Sequence, residues 1–127
     1  MMSKVNQIIE GTSGIPLNDA AYAHWRQRRN LGLLEFGPVE RWHETAHDGP
    51  TFDSLKKAYP DARDEDLKQA IKAAVKLERD CTKNFSYQSW NYFDDVTRAV
   101  DQAKIENPDF REDTYRYLWN VMAREMR

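Results

Sequence analysis

The chain has 127 residues, with 19 Lys and Arg against 21 Asp and Glu, so its formal charge at neutral pH is -2. This near-neutral balance excludes a general electrostatic attraction to nucleic acid or anionic membrane, and such a partner would need a local patch. A chain of this length can bury one hydrophobic core, and we expect a single domain over residues 1–127. Four Trp, six Tyr and five Phe can fill that core. Disordered chains contain few aromatic residues, so we expect most of the chain to fold.

The cysteine content and the hydropathy of the chain indicate its compartment. Cys81 is the only cysteine, which excludes an internal disulfide and a Cys-rich zinc site and fits a reducing environment. The first residues lack the apolar run of a secretory signal, and no run elsewhere approaches membrane-spanning length. We therefore expect a cytoplasmic protein with no membrane partner.

The N-terminal half is predicted to be a loose arm followed by a cap of short helices. Residues 1–16 contain Gly, Ser and Pro without a sustained period, which is typical of an arm. Residues 17–60 contain three helix patterns. The first begins at Asp19, the second runs from about Pro38 to His47, and Thr51 caps the third.

Residues 61–127 are predicted to form the main helical bundle. One long amphipathic pattern runs from about Asp64 to Lys83, and a second runs from Ser89 to about Glu106. Asn107-Pro108 then has the cap-and-proline form that often begins a helix. No stretch alternates apolar and polar residues with the period of a strand. The sequence therefore predicts an all-α protein, a small bundle of about five or six helices with three long ones at its C-terminal end.

Residues 41–47 read RWHETAH, in which His43, Glu44 and His47 spell H-E-x-x-H. Two imidazoles four residues apart on a helix can both reach one Zn²⁺, and the Glu between them can take a proton from metal-bound water. Over these five residues the chain resembles the zincin metalloprotease motif. The resemblance implies His43 and His47 as zinc ligands and Glu44 as the base of a metal-dependent hydrolase.

The surrounding sequence favours a different interpretation of this stretch. The extended zincin motif places Gly and His where this chain has Pro50 and Asp53, and no strand is predicted to align a peptide substrate. Val39, Trp42 and Ala46 instead define the apolar side of an amphipathic helix, with the imidazoles and carboxylates on its opposite side. We favour this helix, with the zinc site as the alternative.

Trp25 and the basic residues after it raise the question of nucleic-acid binding. The run Trp25–Arg29 combines an indole with three guanidinium groups, which could stack on a base and grip phosphate. The alternative is a core Trp followed by the solvated basic end of a helix, which is the more usual setting of a charge run. We favour the alternative, so nucleic acid is not the expected partner.

The segment from Phe85 to Phe93 reads FSYQSWNYF and is unusually aromatic. Together with Tyr115 it provides six aromatic side chains, more than one turn of a small bundle normally buries. We expect some of them to form an exposed patch for a protein partner or for a second copy of the chain, the alternative being a second small core. The first functional hypothesis is therefore a protein-binding or self-associating helical module. The metal-dependent hydrolase and the nucleic-acid binder are the alternatives.

Overall fold

The computed structural model describes residues 15–30 and 50–125, and this part of the chain is helical. It contains five helices and no strand: α1 (Leu17–Asn30), α2 (Pro50–Ala58), α3 (Asp64–Asn84), α4 (Tyr92–Glu106) and α5 (Glu112–Glu125). The predicted all-α class is confirmed, as are the three long helices after residue 60. Among these helices, none has the length and apolar character needed to cross a membrane. The arm predicted over residues 1–16 lies almost entirely outside the described residues, and the helix predicted over 38–47 lies wholly outside them.

The chain divides into two compact units, residues 1–75 and 76–127, with the division inside α3. In the first unit, α1 packs against α2. Tyr22, Trp25 and Leu55 are completely buried there, and the ring centroids of Tyr22 and Trp25 lie 6.1 Å apart. The imidazole Nδ1 of His24 lies 2.6 Å from the hydroxyl oxygen of Ser54, which joins the two helices through a polar contact. The predicted single domain, with its division at residue 60, stays a prediction.

In the second unit, α4 packs against α5 through apolar stripes at helical spacing. The buried side chains of these stripes are Val96, Ala99, Val100, Ala103, Leu118, Val121 and Met122. The Tyr115 hydroxyl donates a hydrogen bond to the Asn107 carbonyl, so the turn between the helices is tied to α5. These contacts fix the two helices that carry the candidate site described below.

Two predicted helix boundaries after residue 85 are wrong, and each has a local cause. Helix α4 begins at Tyr92 and not at Ser89, because the Asn91 side chain caps it by accepting a hydrogen bond from the Phe93 N–H at 3.0 Å. Asn107 ends α4 and does not begin α5: its N–H donates to the Ala103 carbonyl at 2.8 Å. Its side-chain oxygen accepts from Lys76 Nζ at 3.1 Å and its amide nitrogen donates to Asp80 at 3.0 Å, so the side chain is not available to cap the following helix.

Candidate functional site

The segment between α3 and α4, residues 85–91, is held in place by a buried carboxylate. Asp95, in the first turn of α4, is 1% exposed. Its Oδ1 accepts hydrogen bonds from the backbone N–H of Gln88 at 3.2 Å and of Ser89 at 3.0 Å. The Arg98 guanidinium donates to the same oxygen at 3.1 Å. One side chain therefore ties the segment to the helix that follows it.

The same contacts determine the charge of Asp95. Burial on its own would raise the pKa of this carboxyl, because desolvation disfavours the ionised form. The hydrogen bonds from the backbone N–H of Gln88, from Arg98 and from Ser89 stabilise the carboxylate and outweigh burial, so the pKa is lowered. Asp95 is thus an ionised anchor at neutral pH.

A second set of hydrogen bonds shapes the end of the segment. The Ser89 hydroxyl accepts from the Asn91 N–H at 3.2 Å and donates to the Asn91 carbonyl at 2.7 Å. Asn91 in turn caps α4 with its own side chain. Because each residue fixes the next, the backbone around Trp90 is ordered without help from the Trp90 side chain. The hydrogen bonds of Ser89 and Asn91 therefore hold the backbone in a conformation that presents the Trp90 side chain to solvent.

Five aromatic rings, which we call the aromatic cluster, run from this segment onto α4 and α5. They are linked by neighbouring centroid distances of 4.8–6.4 Å, within the range in which ring pairs attract each other. The members of the cluster are Phe85, Tyr87, Tyr92, Phe93 and Trp119.

Hydrogen bonds fix two rings of the aromatic cluster at its base. The Tyr92 hydroxyl lies 3.0 Å from the carbonyl oxygens of both Met122 and Ala123, to which it can donate. The Trp119 indole N–H donates to the Thr97 hydroxyl at 2.9 Å. The Phe93 ring stacks on Trp119 with centroids 5.6 Å apart, so the outer rings rest on an ordered base.

The outer side of this region is exposed to solvent. Tyr87 is 69% exposed, Phe93 is 47% exposed and Trp90 is fully exposed. We call these three residues the aromatic surface. Phe85 and Tyr92 are half-buried beneath it. Ring contacts through Tyr92 join Tyr87 to Phe93, and Trp90 lies on the same segment as Tyr87. Exposed aromatic side chains gathered in this way commonly mark a surface that another molecule covers.

Of the residues predicted from the sequence to form a site, some are buried and others lie outside the described part of the chain. Of the six aromatics singled out above, Tyr115 is buried and belongs to the core. His43, Glu44 and His47 lie outside the described residues, so the zinc site and the amphipathic alternative both stay predictions. Within residues 15–30 and 50–125, no group of three or more His, Cys, Asp or Glu side chains is arranged to hold a metal ion.

The first two residues of the run Trp25–Arg29 are buried in the first unit. Trp25 is completely buried and Arg26 is 1% exposed, so neither side chain is positioned to stack on a base or to contact phosphate. A nucleic-acid contact here would depend on Arg28 and Arg29, whose side chains are outside the described part of the structure.

Cys81 is a free and completely buried thiol. Burial raises its pKa, and the charges of Glu78 and Asp80 raise it further. A thiol of this kind is a poor nucleophile, as expected for a cysteine on the apolar seam of a helix.

Two residues important to the candidate site were not identified from the sequence. Asp95 has no distinguishing sequence signal, because an acidic residue near the start of a helix is common there for its favourable interaction with the helix dipole. In the sequence, Trp119 is one of several apolar residues of the last helix, and nothing in its spacing indicates a functional role. The Asp95 contacts depend on the path of the preceding segment, and the Trp119 contacts depend on how α4 and α5 pack, so neither has a signal in the local pattern.

Comparison with known proteins adds no assignment to this geometry. No protein-family model matches the chain, and neither the curated proteins nor the solved structures contain a significant match to it. A functional interpretation therefore has to come from the chemistry of the aromatic surface and its surroundings.

Proposed function

We propose that the protein is a self-associating helical module, whose copies meet through the aromatic surface. The observation that carries the proposal is the full exposure of Trp90 on a segment whose backbone is already ordered. Trp and Tyr supply much of the binding energy at protein interfaces, because they bury a large area with few rotatable bonds. An ordered backbone lowers the entropy lost on association, so this arrangement favours binding.

The charge of the segment supports a second copy of the chain as the partner. Residues 85–91 contain no charged side chain, although 31% of the whole chain is charged. In a two-fold symmetric contact the same surface meets itself, so a charged patch would face its own charge and be repelled. An uncharged aromatic surface has no such penalty and is complementary to its own copy.

Sedimentation velocity over a range of concentrations tests this proposal. We expect reversible association of the wild-type chain that Trp90→Ala weakens by roughly tenfold or more, as expected when an aromatic anchor of an interface is truncated. Ile105→Ala is the matched control, because Ile105 is an exposed apolar residue on α4 that is 73% exposed and lies outside the aromatic surface. This control should associate like the wild type.

The dependence on salt is a second criterion. Association through an uncharged surface should change little with ionic strength, whereas association through ion pairs weakens as salt screens them. A chain that stays monomeric at every concentration, or one that Trp90→Ala leaves unchanged, would show that this surface does not join two copies.

A further inference from the structure

A pocket of about 210 Å³ lies on the second unit, between the outer sides of α4 and α5. Its apolar lining consists of Val100, Tyr115 and Trp119, of which Val100 and Tyr115 are buried. Its charged lining is exposed and consists of two carboxylates and two basic groups: Asp101, Glu112, Lys104 and Arg116. The pocket therefore combines an aromatic base with a charged rim.

The two basic groups of the rim are already paired with carboxylates. Lys104 Nζ lies 2.7 Å from Glu112 Oε2, and it also lies 5.2 Å from the centre of the Tyr115 ring. Arg116 Nη1 lies 3.2 Å from Asp113 Oδ1. Neither cation is left to attract an anion from solution, so the rim does not favour an anionic ligand.

The carboxylate of Asp101 is different. In the described part of the chain it makes no hydrogen bond and no ion pair within 4 Å, although the Lys104 charge lies near enough to interact with it. The pocket lining has two carboxylates and two basic groups, but Lys104 is paired with Glu112 and Arg116 with Asp113, so among the described residues the negative charge of Asp101 is the one in the lining that no ion pair engages. That charge is complementary to a cationic ligand.

The Trp119 ring that lines the pocket favours a planar cation. The face of an indole attracts a cation, and a planar guanidinium can stack on it while its N–H groups bind a carboxylate. Trp119 offers such a ring in the same pocket as the Asp101 carboxylate. We infer that this pocket binds an arginine side chain of a peptide or protein partner, with its guanidinium on Trp119 and paired with Asp101. This binding site is additional to the proposed self-association.

The test uses the full chain and two short peptides, N-acetyl-Gly-Arg-Gly-amide and the same peptide with citrulline, which keeps the shape of arginine without its charge. Binding is followed by NMR at the indole N–H of Trp119, which is assigned by its loss in Trp119→Phe. The titration is repeated in the Trp90→Ala background, so that a failure of self-association leaves this measurement intact. We expect saturable shifts with the arginine peptide and none with the citrulline peptide.

Asp101→Asn should weaken binding of the arginine peptide by about twofold to fivefold, the range expected for a partly exposed ion pair. Asp109→Asn is the matched control, since Asp109 is also an exposed carboxylate of the second unit but does not line the pocket. It should leave the affinity unchanged. The inference is overturned if the arginine peptide gives no saturable shift, if citrulline binds equally well, or if both variants behave like the wild type.

Discussion

His24 is a titratable side chain that α1 places almost entirely out of solvent, with 2% of its surface exposed. Burial lowers its pKa from 6.5 to about 4, because the charged imidazolium loses its hydration there. The Ser54 hydroxyl beside Nδ1 provides a polar contact for the imidazole at the junction of α1 and α2. His24 is thus neutral at physiological pH, and it destabilises the folded chain only in acid, where the imidazole becomes protonated.

We predict that the first unit loses stability as the pH falls from 6.5 toward 4. In this window the unfolded chain binds a proton at His24 more readily than the folded chain does, so protonation favours unfolding. With about 1.4 kcal/mol per pKa unit and some residual solvent access, the loss is on the order of 2 kcal/mol. Denaturant unfolding at several pH values measures it, and His24→Asn should flatten the pH dependence in this window. An unchanged dependence in that variant would assign the effect to other groups.

At the scale of elements, the segment between α3 and α4 has the most unusual construction. It is not helical, yet its backbone is fixed by Asp95, Asn91 and Ser89. Its order is therefore independent of the exposed rings of Tyr87 and Trp90 that it carries, and removing one of these rings should not unfold it. The segment 85–91 therefore has an ordered backbone that holds exposed apolar side chains in fixed positions.

Asp95→Asn should loosen this segment, because the neutral amide is a weaker acceptor and loses the ion pair with Arg98. We expect hydrogen exchange at the amides of Gln88 and Ser89 to accelerate at least severalfold, while exchange in the middle of α3 stays the same. Asp94→Asn, at the exposed neighbouring position, is the control and should leave both amides protected.

Acid should produce the same effect in the wild type. The pKa of Asp95 is lowered in the folded chain, so the contribution of its carboxylate is complete above the ordinary value of about 3.9 and is lost as the pH falls through the lower folded value. Equal protection of the two amides on both sides of that window would contradict the anchoring role.

The helices could be predicted from the sequence where their signals are local. The apolar seam predicted over 64–83 corresponds to α3 at Asp64–Asn84, because spacing along one helix defines its buried side. Asn107 shows the limit of such signals: its sequence context suits the start of a helix, but its side chain bonds Asp80, 27 residues earlier. The candidate site follows the same rule, since the aromatic residues of the segment 85–93 were visible in the sequence, whereas Trp119 and the Asp95 contacts were not.

At the scale of the whole molecule, charge is the property that most restricts the choice of partner. The formal charge of -2 is the difference between 19 basic and 21 acidic residues, and ion pairs such as Lys104 with Glu112 engage several of them. Burial of Trp25 and Arg26 removes the indole and one of the three guanidinium groups of the run Trp25–Arg29 from external contact. Long-range electrostatics therefore offers little attraction for a polyanion.

We accordingly predict no retardation of single-stranded or double-stranded DNA or RNA in gel-shift experiments at low salt, where electrostatic binding is strongest. Replacing Arg28 and Arg29 with Gln should make no difference to this result. Retardation that these replacements abolish would instead support nucleic-acid binding at the end of α1.

Trp119 belongs both to the aromatic cluster and to the pocket, since it stacks on Phe93 and is also one of the residues that line the pocket. A guanidinium that shifts this ring acts on Phe93, which is part of the aromatic surface. If the proposed self-association and the proposed arginine site both exist, thermodynamic linkage makes their coupling reciprocal: the factor by which the ligand changes the association constant equals the factor by which association changes the ligand affinity. A single indole would thus allow the occupancy of one surface to regulate the other.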